Sequence, residues 1–288
     1  MKKLVNAKEI LQKAHKNGYA VPHININNLE WVKVILTTCQ KMNSPVILGI
    51  SEGALKYMGG VKTVFNLVTN LMDFLKITIP VVLHVDHGTV ETCLAAIKTG
   101  FTSVMYDGSH ESFEVNLKNT KKVIAAASKK DVSVEAEVGS IGGEEDGVIG
   151  LGEIASEEEA LKMKEAGVTM LAAGIGNIHG LYPPNWKSLD FDTLKNLSFV
   201  TQLPLVLHGG SGIPTDQIQE AIKLGISKIN INTELQLANA KGITEFIVSG
   251  EVKKGKNYDP RKMYAPGIKL MEETIEKKIL EFGSKDKA

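Results

Sequence analysis

The chain has 288 residues, 43% hydrophobic and 23% charged, and its 33 basic residues balance 33 acidic ones, an ordinary make-up for a soluble globular protein. Zero net charge argues against nucleic acid or an anionic membrane surface as a main partner. No apolar run approaches the roughly 18 residues of a membrane span.

The opening segment MKKLVNAKEI is basic but lacks the apolar core of a signal peptide. Cys39 and Cys93 both fall in helical-looking segments, as free thiols of a reducing compartment would. A cytoplasmic location is expected. Strand-like runs then recur along the chain at 19–26, 45–50, 79–86, 101–107, 132–138, 168–174, 204–208 and 226–231. Most are apolar and β-branched, the pattern of parallel strands covered on both faces. Helical stretches separate them: Ser156 and Glu159 form a capping box, and Gly100, Gly167 and Gly225 stand where a helix ends and a strand begins. Eight such units predict a (β/α)8 barrel, a single domain over residues 1–288. Residues 250–266 read as a surface excursion before a C-terminal helix over about 267–282.

Barrel enzymes place their chemistry where strands end. Of the seven histidines, five lie at or just past a strand end: His84, His87, His110, His179 and His208. Asp86, Asp107, Glu137 and Asn230 lie there too. Buried imidazoles and carboxylates are costly unless paired or bound to something. His87, His179 and His208 therefore suggest a catalytic zinc site, which uses three protein ligands and leaves one position open. Asp107 and Glu137 would orient ligand imidazoles, hold a metal in an alternative position, or simply cap loops. HGGSGIP at 208–214 and NINTE at 230–234 offer glycines and helix starts for a phosphate cradle after strands seven and eight. The glycine-rich acidic stretch EVGSIGGEEDGVIG at 137–150 reads as a loop. Its Glu144, Glu145 and Asp146 are either solvated charge or the source of a proton-transfer base. Only one of the 33 basic residues, Arg261, is arginine. In so lysine-rich a chain that fork is a candidate for phosphate or carboxylate.

The motifs PHININN, SEGA, LHVDHG, SVEAEVGSIGGEEDG, GNIHGLYP, LVLHGGSGIP, KININTE and YDPRK occur in that order. Together they resemble the class II fructose-bisphosphate aldolases over about residues 5–284. The resemblance implies reversible, zinc-dependent cleavage of fructose 1,6-bisphosphate to dihydroxyacetone phosphate and glyceraldehyde 3-phosphate, a step of glycolysis. It implies His87, His179 and His208 as zinc ligands, with Asp107, Glu137 and Glu144 around a second divalent position. Asp86 would move the proton of the C4 hydroxyl and Glu145 that of C3. Gly180, Gly209, Gly210, Ser211, Asn230 and Thr233 would cradle the dihydroxyacetone phosphate end, with Asn25 and Ser51 at substrate hydroxyls or loop contacts. Arg261 would reach the far phosphate in a neighbouring subunit, making a homodimer or homotetramer. A monovalent cation on backbone carbonyls near residues 179–210 is a further implication.

Two departures from the family pattern stand out. The loop after His179 reads LYPPNWK, so Lys187 would have to replace a phosphate-loop lysine. Asn232 occupies a position that is aspartate in many members and bears on the choice of sugar bisphosphate. The asparagine favours fructose over tagatose 1,6-bisphosphate, the alternative substrate. Two rival readings are a Schiff-base aldolase built on Lys228, the one lysine well inside a predicted strand, and a non-catalytic phosphosugar or metal-binding protein.

Overall fold

The structure, a computed structural model, describes residues 4–145 and 148–288, with only the backbone described at Glu145 and Val148. The strands, in chain order, are β1 (Val21–Asn25), β2 (Val46–Ile50), β3 (Val81–Gly88), β4 (Ser103–Tyr106), β5 (Ser133–Val138), β6 (Gly142–Glu145), β7 (Val148–Gly150), β8 (Met170–Ala173), β9 (Ile178–His179), β10 (Leu205–Leu207) and β11 (Ile226–Ile231). Eight of them close into a parallel barrel in the order β1-β11-β10-β8-β5-β4-β3-β2. They are the eight runs expected from the sequence: β11 keeps the expected bounds, β3 starts two residues later and runs two residues further, through Gly88, and the other six are shorter by one to three residues. Closure comes from β1 lying parallel to β11, with Val21 opposite Lys228 and His23 opposite Asn230.

Successive residues of a strand face opposite sides, and here the two sides bury different groups. Ile24, Leu48, Leu83, Val85, Val134 and Ala136 face the helices and join the main apolar core. Val21, Ile47, Val82, Met105, Met170 and Val206 form a second apolar cluster inside the barrel, sealed by Ala7, Leu11 and Ala14 of the helix Ala7–Asn17. Toward the carboxyl ends of the strands the interior turns polar: His23 then Asn25 on β1, His84 then Asp86 on β3, Glu135 then Glu137 on β5. The apolar floor carries stability, and the carboxyl ends of the strands are left for chemistry.

Residues 137–150 differ from the loop expected. β6 and β7 form an antiparallel hairpin, and β6 also runs parallel to β9, with Gly143 opposite His179. Gly143 adopts φ 86°, and a Cβ there would lie 2.3 Å from the His179 carbonyl oxygen. Only a glycine permits that approach. The excursion at 250–266 contains a 3-10 turn at Glu251–Lys253 and a short helix Pro260–Met263, and the final helix runs Ala265–Glu281.

Candidate active site at the carboxyl ends of the strands

His87, His179 and His208 converge. Their ring centroids are 4.7 to 5.7 Å apart, and one nitrogen from each lies within 4.8 Å of the others. His87 sits at the end of β3 in the left-handed region, φ 49°, beside a register shift between Val85 and Gly88. Such a bulge re-aims a side chain, and the strained backbone here serves to point the imidazole across the barrel mouth. His208 follows β10 and is fully buried.

The second nitrogen of two of these rings is already occupied. His87 Nδ1 lies 2.7 Å from Asp107 Oδ2, and His208 Nε2 lies 2.8 Å from Glu135 Oε1. Carboxylates accept, so both nitrogens carry the proton, and His87 Nε2 and His208 Nδ1 face each other at 3.0 Å. Two imidazoles on one tetrahedral zinc place their nitrogens roughly 3.3 Å apart. The donor set therefore fits a zinc-sized ion, and the carboxylate behind each imidazole is the usual device for orienting a ligand histidine. Charge agrees. Burial opposes an imidazolium at His87, but the hydrogen bond to Asp107 and the charges of Asp86, Asp107 and Glu137 outweigh it and push the ring up to about 10. The pocket favours a cation.

A second group shares His87 with Asp107 and Glu137. Glu137 is 2% exposed; its Oε1 accepts the N–H of Ile141 at 3.1 Å, and its Oε2 has no partner among the described residues. Burial, then the neighbouring Asp107 charge, pushes its carboxyl up to about 8. An orphaned carboxylate oxygen beside an imidazole and another carboxylate fits an alternative divalent position. Glu144 is exposed and belongs to none of the potential metal clusters found among the described residues.

Asp86 lies beside the triad, and its oxygens accept from Asn25 Nδ2 at 2.9 Å and Asn230 Nδ2 at 3.3 Å. Burial alone would raise its carboxyl, but His23, His87, His208 and Lys228 outweigh burial and hold it well below the carboxylate range. It is ionised and pre-oriented, as a general base must be. Two lobes flank the triad. One, about 310 Å³, lies beside His87, Asp107, Glu137 and His179 and extends to Glu52 and His110. The other is narrow, with Asn25, Asp86, Gly180, Gly209, Ser211, Asn230, Asn232 and Thr233 around it. Gly209 has φ 65°, and a Cβ there would stand 2.2 Å from the Ile178 carbonyl oxygen. Gly210 donates its N–H to the Asn230 carbonyl at 2.9 Å, locking the glycine loop to the end of β11.

Residues 5–287 match the family model described as fructose-bisphosphate aldolase class-II. The chain belongs to that family. It is 52% identical over 289 residues to the fructose-bisphosphate aldolase of Mycoplasma genitalium, covering 99% of this chain and 100% of that one. With the fructose-bisphosphate aldolase of Streptococcus pneumoniae it shares 50% over 291 residues, 99% of each chain. Among solved structures, the YdjI aldolase of Escherichia coli superposes with a TM-score of 0.84 at 30% identity, covering 99% of this chain and 100% of that one. The fructose-bisphosphate aldolase of Campylobacter jejuni also gives 0.84, at 26% identity, covering 99% and 97%.

In this class II aldolase the other sequence-derived positions fall less centrally. The Ser51 hydroxyl caps the helix Glu52–Tyr57, accepting from the Ala54 N–H at 3.4 Å, and lines neither lobe. Arg261 is exposed and pairs with Asp259 at 2.6 Å. It too lines neither lobe, nor does the exposed Lys187. The Glu145 side chain, Asp146 and Gly147 lie outside the described residues.

Two residues of the aldolase site escaped the reading of the sequence. Glu135 holds His208 on one oxygen and Lys228 Nζ, 2.8 Å away, on the other, and none of the three is exposed. Its signal was the spacing in SVEAEV: Glu135 and Glu137 face the same way from a buried strand. Tyr182 joins two loops, its hydroxyl accepting from the Ile178 N–H at 3.0 Å and donating to the Gly209 carbonyl at 2.8 Å. Beneath the site, His23, His84 and Asp86 form a third, fully buried group. Burial and then the Lys228 ammonium keep His23 well below its usual range and hold His84 at about 3.

Proposed function

We propose that this chain is a zinc-dependent aldolase that reversibly cleaves fructose 1,6-bisphosphate to dihydroxyacetone phosphate and glyceraldehyde 3-phosphate. In the cleavage direction the Asp86 carboxylate takes the C4 hydroxyl proton as the C3–C4 bond breaks. The electron pair stays on C3, in the dihydroxyacetone phosphate half, and Glu145 then delivers a proton to C3. A zinc ion on His87, His179 and His208 would supply Lewis-acid stabilisation of the charge that develops. Gly180, Gly209, Gly210, Ser211, Asn230 and Thr233 hold the phosphate of that half, Asn232 bears on the choice of sugar bisphosphate, and Asn25 serves both substrate and Asp86. Remote phosphate binding would position the reacting carbons.

The observation carrying this reading is the meeting of three imidazoles from separate βα units beside an ionised Asp86. Asp107, Glu137 and Glu144 are assigned to a second divalent position, and a monovalent cation to the backbone around residues 179–210. Arg261 is assigned to the far phosphate of a partner's site in a homodimer or homotetramer. Its exposure supports that role, because the guanidinium N–H groups not taken by Asp259 are open to a neighbouring subunit. A cytoplasmic, glycolytic, single-domain enzyme is the setting this implies.

Lys228 is a poor Schiff-base nucleophile, since its ammonium is buried against Glu135 at 2.8 Å and a charged amine has no free lone pair. A coupled assay with fructose and tagatose 1,6-bisphosphates, with and without chelator, tests the proposal. Fructose bisphosphate cleavage should vanish with chelator and return with zinc. Indifference to chelator together with borohydride trapping at Lys228 would reject it, and preference for the tagatose substrate would transfer it to that sugar.

A further inference from the structure

Lys278, in the final helix, is 3% exposed and takes no part in the chemistry above. A buried ammonium is costly unless its partners compensate. Its partners are Glu234 Oε1 and Glu281 Oε2, each 2.9 Å away. Each carboxylate also reaches the stretch that follows β10, one at its loop and one at the first residue of the next helix, Thr215–Lys223. Glu234 Oε1 accepts the Gly212 N–H at 2.7 Å, and Glu281 Oε1 accepts the Thr215 hydroxyl at 2.6 Å. A third tie runs from the Glu234 N–H to Ser211 Oγ at 3.3 Å. One ammonium, through two carboxylates, thus grips both ends of the segment from Gly212 to Thr215, directly beyond the glycines of the narrow lobe.

We infer that Lys278 is a positioning residue for the phosphate cradle. It sets the shape of the loop bearing Gly209, Gly210 and Ser211, and it neutralises two carboxylates that would otherwise repel an incoming phosphate dianion. The second effect matters most for Glu234, which follows Thr233 of the lobe in sequence. The final helix is therefore part of the substrate site without touching substrate. The inference rests on reading the narrow lobe as a phosphate site.

The test uses the zinc-loaded enzyme with Lys278→Met, which keeps an unbranched apolar side chain of similar length, and Lys278→Arg, which restores the charge. Lys278→Met should raise KM for fructose bisphosphate and the inhibition constant of inorganic phosphate at least about fivefold, with kcat within about twofold. Zinc affinity by chelator competition should stay unchanged, and Lys278→Arg should recover most of the loss. Unchanged KM, or a fall in zinc affinity and kcat in step with KM, would overturn the inference, the latter because it marks general loosening. If Lys278→Met fails to fold, Thr215→Val removes only the Glu281 arm and should raise KM in the same direction by less; no rise would overturn it. Ser211→Ala separates the two readings. If it leaves phosphate inhibition untouched, the cradle assignment fails; if it weakens inhibition while Lys278→Met does not, only the role of Lys278 fails.

Discussion

His208 Nε2 and Glu135 Oε1 share a hydrogen bond of 2.8 Å in the closed interior of the barrel, with neither residue exposed. It selects the nitrogen that His208 presents to a metal, and Lys228 stabilises it by pairing with the other carboxylate oxygen. Glu135→Gln should lower zinc affinity about 10- to 100-fold, the usual cost of losing a partner behind a ligand histidine. Leaving Lys228 buried without its counter-charge should also cost about 3–5 kcal/mol of stability. Chelator competition and denaturant unfolding measure the two effects, and adding Lys228→Met should recover part of the stability but not the affinity.

Asp86 is held by Asn25 and Asn230 rather than by a metal ligand's ring. Asp86→Ala should therefore spare zinc binding and substrate affinity while lowering turnover at least about 100-fold. Steady-state kinetics beside a zinc titration decide this; unchanged turnover would remove Asp86 from the proton-transfer role.

The pairing of Gly143 with His179 couples the β6–β7 hairpin to a proposed zinc ligand. Gly143→Ala places a methyl against the His179 carbonyl in a left-handed backbone, a change expected to cost more than about 1 kcal/mol locally. Since the hairpin lies outside the eight-stranded barrel, global unfolding should move little while kcat/KM falls. A drop in melting temperature with full activity would show that the pairing matters for stability alone.

Arg261→Lys keeps charge but loses the planar fork. KM for fructose bisphosphate should rise more than the dissociation constant of dihydroxyacetone phosphate, because only the former carries the far phosphate. Equal effects would place Arg261 elsewhere. Sedimentation of the wild-type enzyme should show a dimer or larger, as a residue supplied in trans requires.

The eight strands, and the positions of His87 and His208 at the ends of two of them, could be read from the chain because those signals are local, whereas His179 stands beyond β8 on the short strand β9. Apolar runs of five to eight residues ending in polar groups, and glycines at helix ends, arise from neighbours in sequence. Tertiary structure alone decided which side chains meet. Glu135 and Lys228 lie on strands far apart in the chain and become partners only when the barrel closes. Gly143 reaches His179, and Lys278 reaches Glu234, across stretches that no local pattern connects. A strand's own residues dictate which of its side chains share a face. What that face looks across at depends on register and closure, which only the assembled barrel sets.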